Sequence, residues 1–255
     1  MCYDVQARPP YPPISGGAGE GEDLILEAGD GTRFAAYYAA PSQDKGAQII
    51  ILPDVRGLHP FYKELALRFA EVGIRAIAID YFGRTAGITA RDDEFDYQPH
   101  VQQMQFPHVV ADVKAARTFL SKQDPRKDVT FTVGFCRGGT LSLLLGAEDL
   151  DLAGVIAFYS GFSRPVPGAE DTLQRSKKIH VPVLGLYGGT DQSITAEQVQ
   201  ELDINLDQAG VKHEVITYPG APHSFFDRRY KEHADASADA WTRILNFINS
   251  LTPKA

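Results

Sequence analysis

A chain of 255 residues, 44% of them hydrophobic and 23% charged, is long enough to bury one large core. Its net charge of −8, with no basic stretch to offset it, argues against nucleic acid and anionic membrane surfaces as partners. No apolar run approaches the roughly 18 residues that span a bilayer. Met1-Cys2-Tyr3-Asp4-Val5 also lacks the basic-then-apolar order of a secretory signal. The two cysteines, Cys2 and Cys136, read as free thiols, which suits a cytoplasmic protein.

Residues 1–22 form a proline- and glycine-rich tail with little to bury, and residues 23–255 are expected to make a single domain. Leu24–Leu26 and Phe34–Ala39 flank Gly29-Asp30-Gly31 as a hairpin. Gln48–Leu52 is a continuous apolar run suited to a strand covered on both faces, and it ends at Pro53-Asp54-Val55-Arg56-Gly57. Helical spacing follows over Pro60–Val72, then a buried strand over Ile74–Ile79. Residues 81–106 are a long polar connection, a candidate pocket wall or lid. Pro107–Leu120 returns to helical spacing, and Val129–Val133 alternates as a strand. Beyond it, Gly154–Tyr159, Val181–Tyr187 and Val211–Tyr218 read as strands. Helices are expected from Thr195 to about Ala209 and from about Glu232 to Leu251. Alternating strands and helices demand a mostly parallel sheet with helices on both faces, an α/β architecture preceded by a β-hairpin.

The stretch Gly134-Phe135-Cys136-Arg137-Gly138-Gly139 joins the fifth strand to an apolar helix. Its glycines have the spacing of a nucleophile elbow, G-x-S-x-G with sulfur in place of the serine oxygen. A thiol at such a corner needs a histidine base, and the histidine needs a carboxylate to fix its tautomer. Asp191 and His223 follow in nucleophile–acid–histidine order, each just after a predicted strand. His59 stands in reserve, His100 and His108 border the long connection, and His213 and His233 read as structural. No H-x-x-x-H or C-x-x-C pair appears, so neither a metal nor an organic cofactor is expected.

With these motifs in place, the chain resembles the dienelactone hydrolase family, the carboxymethylenebutenolidase-like branch of the α/β-hydrolases. The likeness rests on Gly134–Gly139, Gly188-Gly189-Thr190-Asp191 and Gly220-Ala221-Pro222-His223-Ser224-Phe225, and extends over residues 24–250. It implies hydrolysis of small esters or enol-lactones through a Cys136–His223–Asp191 triad and an acyl-enzyme. It also implies an oxyanion hole from the amides of Val55 and Arg137. At the turn where the family carries a thiol-modulating glutamate, this chain has Asp54. Arg84 matches one of two family arginines that hold a substrate carboxylate; where the second would stand is Asp227, whose charge would repel one. Tyr81, Phe82, Tyr159 and Phe225 are candidate pocket walls. The expected partner is a small ester or lactone, with the chain a monomer or weak homo-oligomer. The competing reading is a ligand-binding or thiol-sensing protein on the same fold.

Overall fold

The computed structural model describes Pro9 and residues 20–92, 94–124 and 129–253. Its frame is one eight-stranded sheet of β1 (Glu20–Glu27), β2 (Arg33–Ala40), β3 (Ala47–Leu52), β4 (Arg75–Ile79), β5 (Val129–Phe135), β6 (Leu152–Phe158), β7 (Val183–Gly188) and β8 (His213–Tyr218). The spatial order is β1-β2-β4-β3-β5-β6-β7-β8. The hairpin pairs antiparallel and joins the sheet antiparallel through β2 and β4; every later pairing is parallel. β1 begins at Glu20, three residues inside the stretch expected as tail. The rest of that tail, residues 1–19 except Pro9, lies outside the described residues.

The β3, β4, β5 and β7 strands are buried along nearly their whole length because helices cover both of their faces. Covering them are α1 (Pro60–Glu71), α4 (Phe106–Gln123), α5 (Arg137–Leu145), α7 (Ala196–Gln208) and α8 (Ala234–Leu251). The short α2 (Gly83–Ala86), α3 (Gln98–Gln103) and α6 (Thr172–Ser176) lie within connections. The helix at Thr195 opens with the expected capping box, Thr195 and Gln198 satisfying each other's backbone N–H groups. Each of these helices ends near the residue its periodicity marks.

The long connection is better fastened than its polar composition suggests. Arg91 reaches back to Asp80 at the end of β4, 2.7 Å away, with both side chains buried. It also donates to the carbonyls of Gly87 and Thr89, and its guanidinium lies 4.5 Å from the Phe95 ring centre. A lone cation here would be costly to bury; paired and hydrogen-bonded, it ties the connection to the sheet. Among the described residues, no helix is long and apolar enough to cross a membrane.

Candidate active site

Four turns converge at the carboxyl edge of the sheet, after β3, β5, β7 and β8, carrying Asp54, Cys136, Asp191 and His223 respectively. Cys136 has φ 54° and ψ −112°, a left-handed conformation costly for a residue with a side chain. The surrounding glycines make it possible. A Cβ on Gly134 would stand 1.9 Å from the Gly138 carbonyl oxygen, and one on Gly138 would stand 2.0 Å from that of Leu52. The elbow is therefore pressed against β3 as well as folded on itself.

Arg137 opens α5, so its amide is one of the first-turn N–H groups without an intrahelical acceptor. The amide of Val55 likewise donates to no protein acceptor among the described residues. The turn carrying Val55 is held from two sides. The Asp54 amide donates to the Tyr62 hydroxyl (3.0 Å), and the Tyr81 hydroxyl donates to the carbonyls of Pro53 (2.8 Å) and Asp54. Tyr81, expected as a pocket wall, thus fixes the backbone of this turn. Tyr62 was not among the expected site residues; only its place on the first turn of α1, above Pro53, hints at the contact.

At the end of β7, Asp191 Oδ1 accepts from the amide (2.9 Å) and hydroxyl (2.7 Å) of Ser193. Its Oδ2 meets His223 Nδ1 at 2.6 Å. The histidine loop comes this close because Gly188 has no side chain; a Cβ there would lie 2.5 Å from the Ala221 carbonyl oxygen. Burial works against the imidazolium, but hydrogen bonds and charge from Asp191 and Cys136 outweigh it and raise the His223 pKa to about 10. The same contact lowers the pKa of Asp191 against the opposing effect of burial. The Tyr159 ring centre lies 4.8 Å from that of His223, at a residue with φ 34°. Cys136, His223 and Asp191 therefore form one interacting set.

Other expected site residues lie elsewhere or face another way. Both Asp54 oxygens are engaged by the buried Arg56, with Nη2 to Oδ2 at 2.9 Å and Nε to Oδ1 at 3.1 Å, and no hydrogen bond joins Asp54 to the thiol among the described residues. A guanidinium two residues along the same turn holds the carboxylate through paired, charge-assisted hydrogen bonds. Arg84 is held by Asp112 (2.5 Å) and Asp30 (2.7 Å). The cavity beside it is only about 10 Å³, too small for a substrate carboxylate. Phe82 and Phe225 are buried in aromatic clusters, Phe82 against Tyr81 and Phe95, Phe225 against Phe158 and Tyr218, and so form core rather than open wall. Asp227 is fully buried, with Oδ1 accepting from the Arg228 amide. Burial and the neighbouring Asp54 charge raise its pKa to about 6. His59 caps α1, His100 stacks on Phe95, and His213 bonds to the Val211 carbonyl. No group of three His, Cys, Asp or Glu side chains is placed to hold a metal ion among the described residues.

An elbow above a mostly parallel sheet, with histidine and acid on the following turns, is the architecture of hydrolase-fold proteins. Residues 34–252 match the dienelactone hydrolase family model, and the chain belongs to that family. A Yersinia pestis relative named "Putative carboxymethylenebutenolidase" is 30% identical over 89% of this chain and 87% of its own. A Klebsiella pneumoniae structure named "Putative Dienelactone Hydrolase" superposes with a TM-score of 0.79 at 23% identity, covering 91% of this chain and 99% of its own. A dienelactone hydrolase-like promiscuous phosphotriesterase from metagenomic libraries has the same fold, with a TM-score of 0.74 at 22% identity over 93% of this chain and all of its own.

Proposed function

We propose that this protein hydrolyses small carboxylic esters or enol-lactones in the manner of a carboxymethylenebutenolidase, with Cys136 as nucleophile. The observation that carries this reading is the His223 imidazole, fixed to Asp191 at 2.6 Å and interacting with the Cys136 thiol. His223 takes the thiol proton, and Asp191 stabilises the imidazolium so formed. The thiolate attacks the ester carbonyl, and the oxyanion is received by the amides of Val55 and Arg137; one such donor is worth about 3–4 kcal/mol in the transition state. His223 then returns the proton to the leaving oxygen. Water, with His223 acting again as base, attacks the thioester and releases the acid and the free thiol.

Replacement of Cys136 by Ala is expected to lower turnover of activated aryl esters by about 10⁶-fold while thermal melting stays cooperative. Wild-type protein quenched during turnover is expected to gain the mass of one acyl group on the peptide containing Cys136. Retained hydrolysis in a folded Cys136→Ala protein would rule out this mechanism. Stoichiometric ester binding without turnover would instead favour the sensor reading.

A further inference from the structure

Asp80, one residue beyond β4, has its two carboxylate oxygens turned to different tasks. Oδ2 meets Arg91 Nη2 at 2.7 Å, with both side chains buried. Oδ1 accepts from the Phe82 amide (3.4 Å) and lies against Gly57, where a Cβ would stand only 2.6 Å from it. The same Cβ would lie 3.1 Å from Phe82 Cδ2 and 3.3 Å from Arg91 Cγ. Gly57 is thus packed directly on the ion pair, at φ 73°, where a side chain would be strained as well as obstructed.

Gly57 closes the turn that begins at Asp54. Its amide donates to the Asp54 carbonyl (3.1 Å), and its carbonyl accepts from the His59 amide (2.7 Å). Val55 lies inside that turn, so a shift of Gly57 carries the Val55 amide with it. The backbone of Asp80 is fixed by the sheet, its amide donating to the Ala35 carbonyl at 2.9 Å. Its carboxylate is set by Arg91. Burial pushes the Asp80 carboxyl up in pKa and the guanidinium opposes this. Without that cation the carboxylate would take up a proton or turn toward water, and its contact with Gly57 would slacken. Arg91 also gathers the exposed stretch 87–90, through the carbonyls of Gly87 (2.8 Å) and Thr89 (2.9 Å). One buried cation therefore sets both the seat of the long connection and the contact on Gly57.

We infer that Arg91 is a positioning residue for the oxyanion hole: acting through Asp80 on Gly57, it makes the placement of the Val55 amide depend on how the long connection is seated. The inference rests on the hydrolase reading above and names what regulates that site.

The test separates attack that needs the hole from attack that does not, in a Cys2→Ser protein so that Cys136 is its single thiol. Hydrolysis of 4-nitrophenyl acetate passes through an oxyanion, whereas alkylation of Cys136 by iodoacetamide is displacement at a saturated carbon. Arg91→Met is expected to lower kcat for the ester about 10- to 100-fold with KM little changed, while alkylation stays within about 2-fold of wild type. Arg91→Lys, which keeps a cation beside Asp80, should recover part of the loss. Gly57→Ala, which drives a methyl group against Asp80, should show the same split. Combined with Arg91→Met it should be no worse than the poorer single variant, because both act through one contact. Alkylation falling in step with hydrolysis would report loss of the whole site and overturns the proposal. Hydrolysis unchanged in a folded Arg91→Met protein, or full additivity in the double variant, overturns it as well. Should Arg91→Met fail to fold, Arg91→Lys and Gly57→Ala decide by the presence or absence of the split. Failure of the parent Cys2→Ser protein to hydrolyse any ester defeats the underlying hydrolase reading; parental turnover that Arg91→Met leaves intact defeats this inference alone.

Discussion

Asp54 and Asp191 occupy equivalent places, each on the turn just beyond a central strand and each nearly removed from water, yet they are spent differently. Asp54 gives both oxygens to Arg56, so its charge is closed within its own turn. Asp191 gives one oxygen to Ser193 and keeps the other for His223, 32 residues away in sequence. An acid saturated by a guanidinium fixes a backbone; an acid with one oxygen held by a hydroxyl and an amide can aim the other at an imidazole. Burial is common to the two, and the choice of partner separates them.

The comparison can be broken most forcefully at Asp191. Asp191→Asn keeps the shape but removes the charge, and kcat should fall about 10²–10⁴-fold with the fold intact. The His223 imidazole, followed by NMR, should then titrate well below its wild-type value of about 10. The pair contributes its full stability between about pH 4 and 6.5, because Asp191 has its pKa lowered from 3.8 and His223 has its raised from 6.5. Its contribution is lost as pH rises through about 10, and in acid as Asp191 protonates. A variant whose activity survives would remove Asp191 from the site.

Asp54→Ala should show the opposite profile. It strands the buried Arg56 cation, and urea unfolding should report a loss of about 3–5 kcal/mol. The kcat per folded molecule should fall far less than in Asp191→Asn. A folded Asp54→Ala protein as inactive as Asp191→Asn would return Asp54 to the thiol-modulating role that the family resemblance implies.

The mildest test is Asp227→Asn, beneath the same cluster. A carboxyl whose pKa is raised from 3.8 to about 6 holds its proton longer folded than unfolded, so wild-type stability falls as pH rises through that window and stays lowered above it. The Asn variant should escape that loss and gain on the order of 1–3 kcal/mol over wild type at pH 8 relative to pH 3. Equal pH dependence in the two proteins would show that Asp227 is ionised without penalty, facing charge or water.

The strands, the long helices and the elbow were legible in the sequence because local forces set them; the short α2, α3 and α6 were not. Unbroken apolar runs at β3 and β7 require cover on both faces, and Gly134, Gly138 and Gly188 stand where backbones meet. The order Cys136, Asp191, His223 was legible for the same reason, since each follows a strand that periodicity identifies. Side-chain pairing was not. Arg84 matched a family position, but its partners lie 54 and 28 residues away, and nothing local selects Asp30 and Asp112 over a substrate. Arg56 lies within the turn of Asp54, and its pull was detectable as opposite charges two residues apart. Phe82 and Phe225 show the limit of composition: an aromatic ring after a strand suits a pocket or a core equally, and only the neighbours decide.

The tight approach of Gly138 to the Leu52 carbonyl also bears on how the molecule assembles. These residues are far apart in the chain, and β3 and β5 lie side by side only after α1, β4, α2, α3 and α4 have been laid down between them. The left-handed corner at Cys136 has little to hold it until that long-range pairing closes, because an isolated turn would relax to an ordinary conformation. The reactivity of the Cys136 thiol during refolding, followed with an alkylating probe in a Cys2→Ser protein, thus becomes a clock for the docking of the sheet's two central strands.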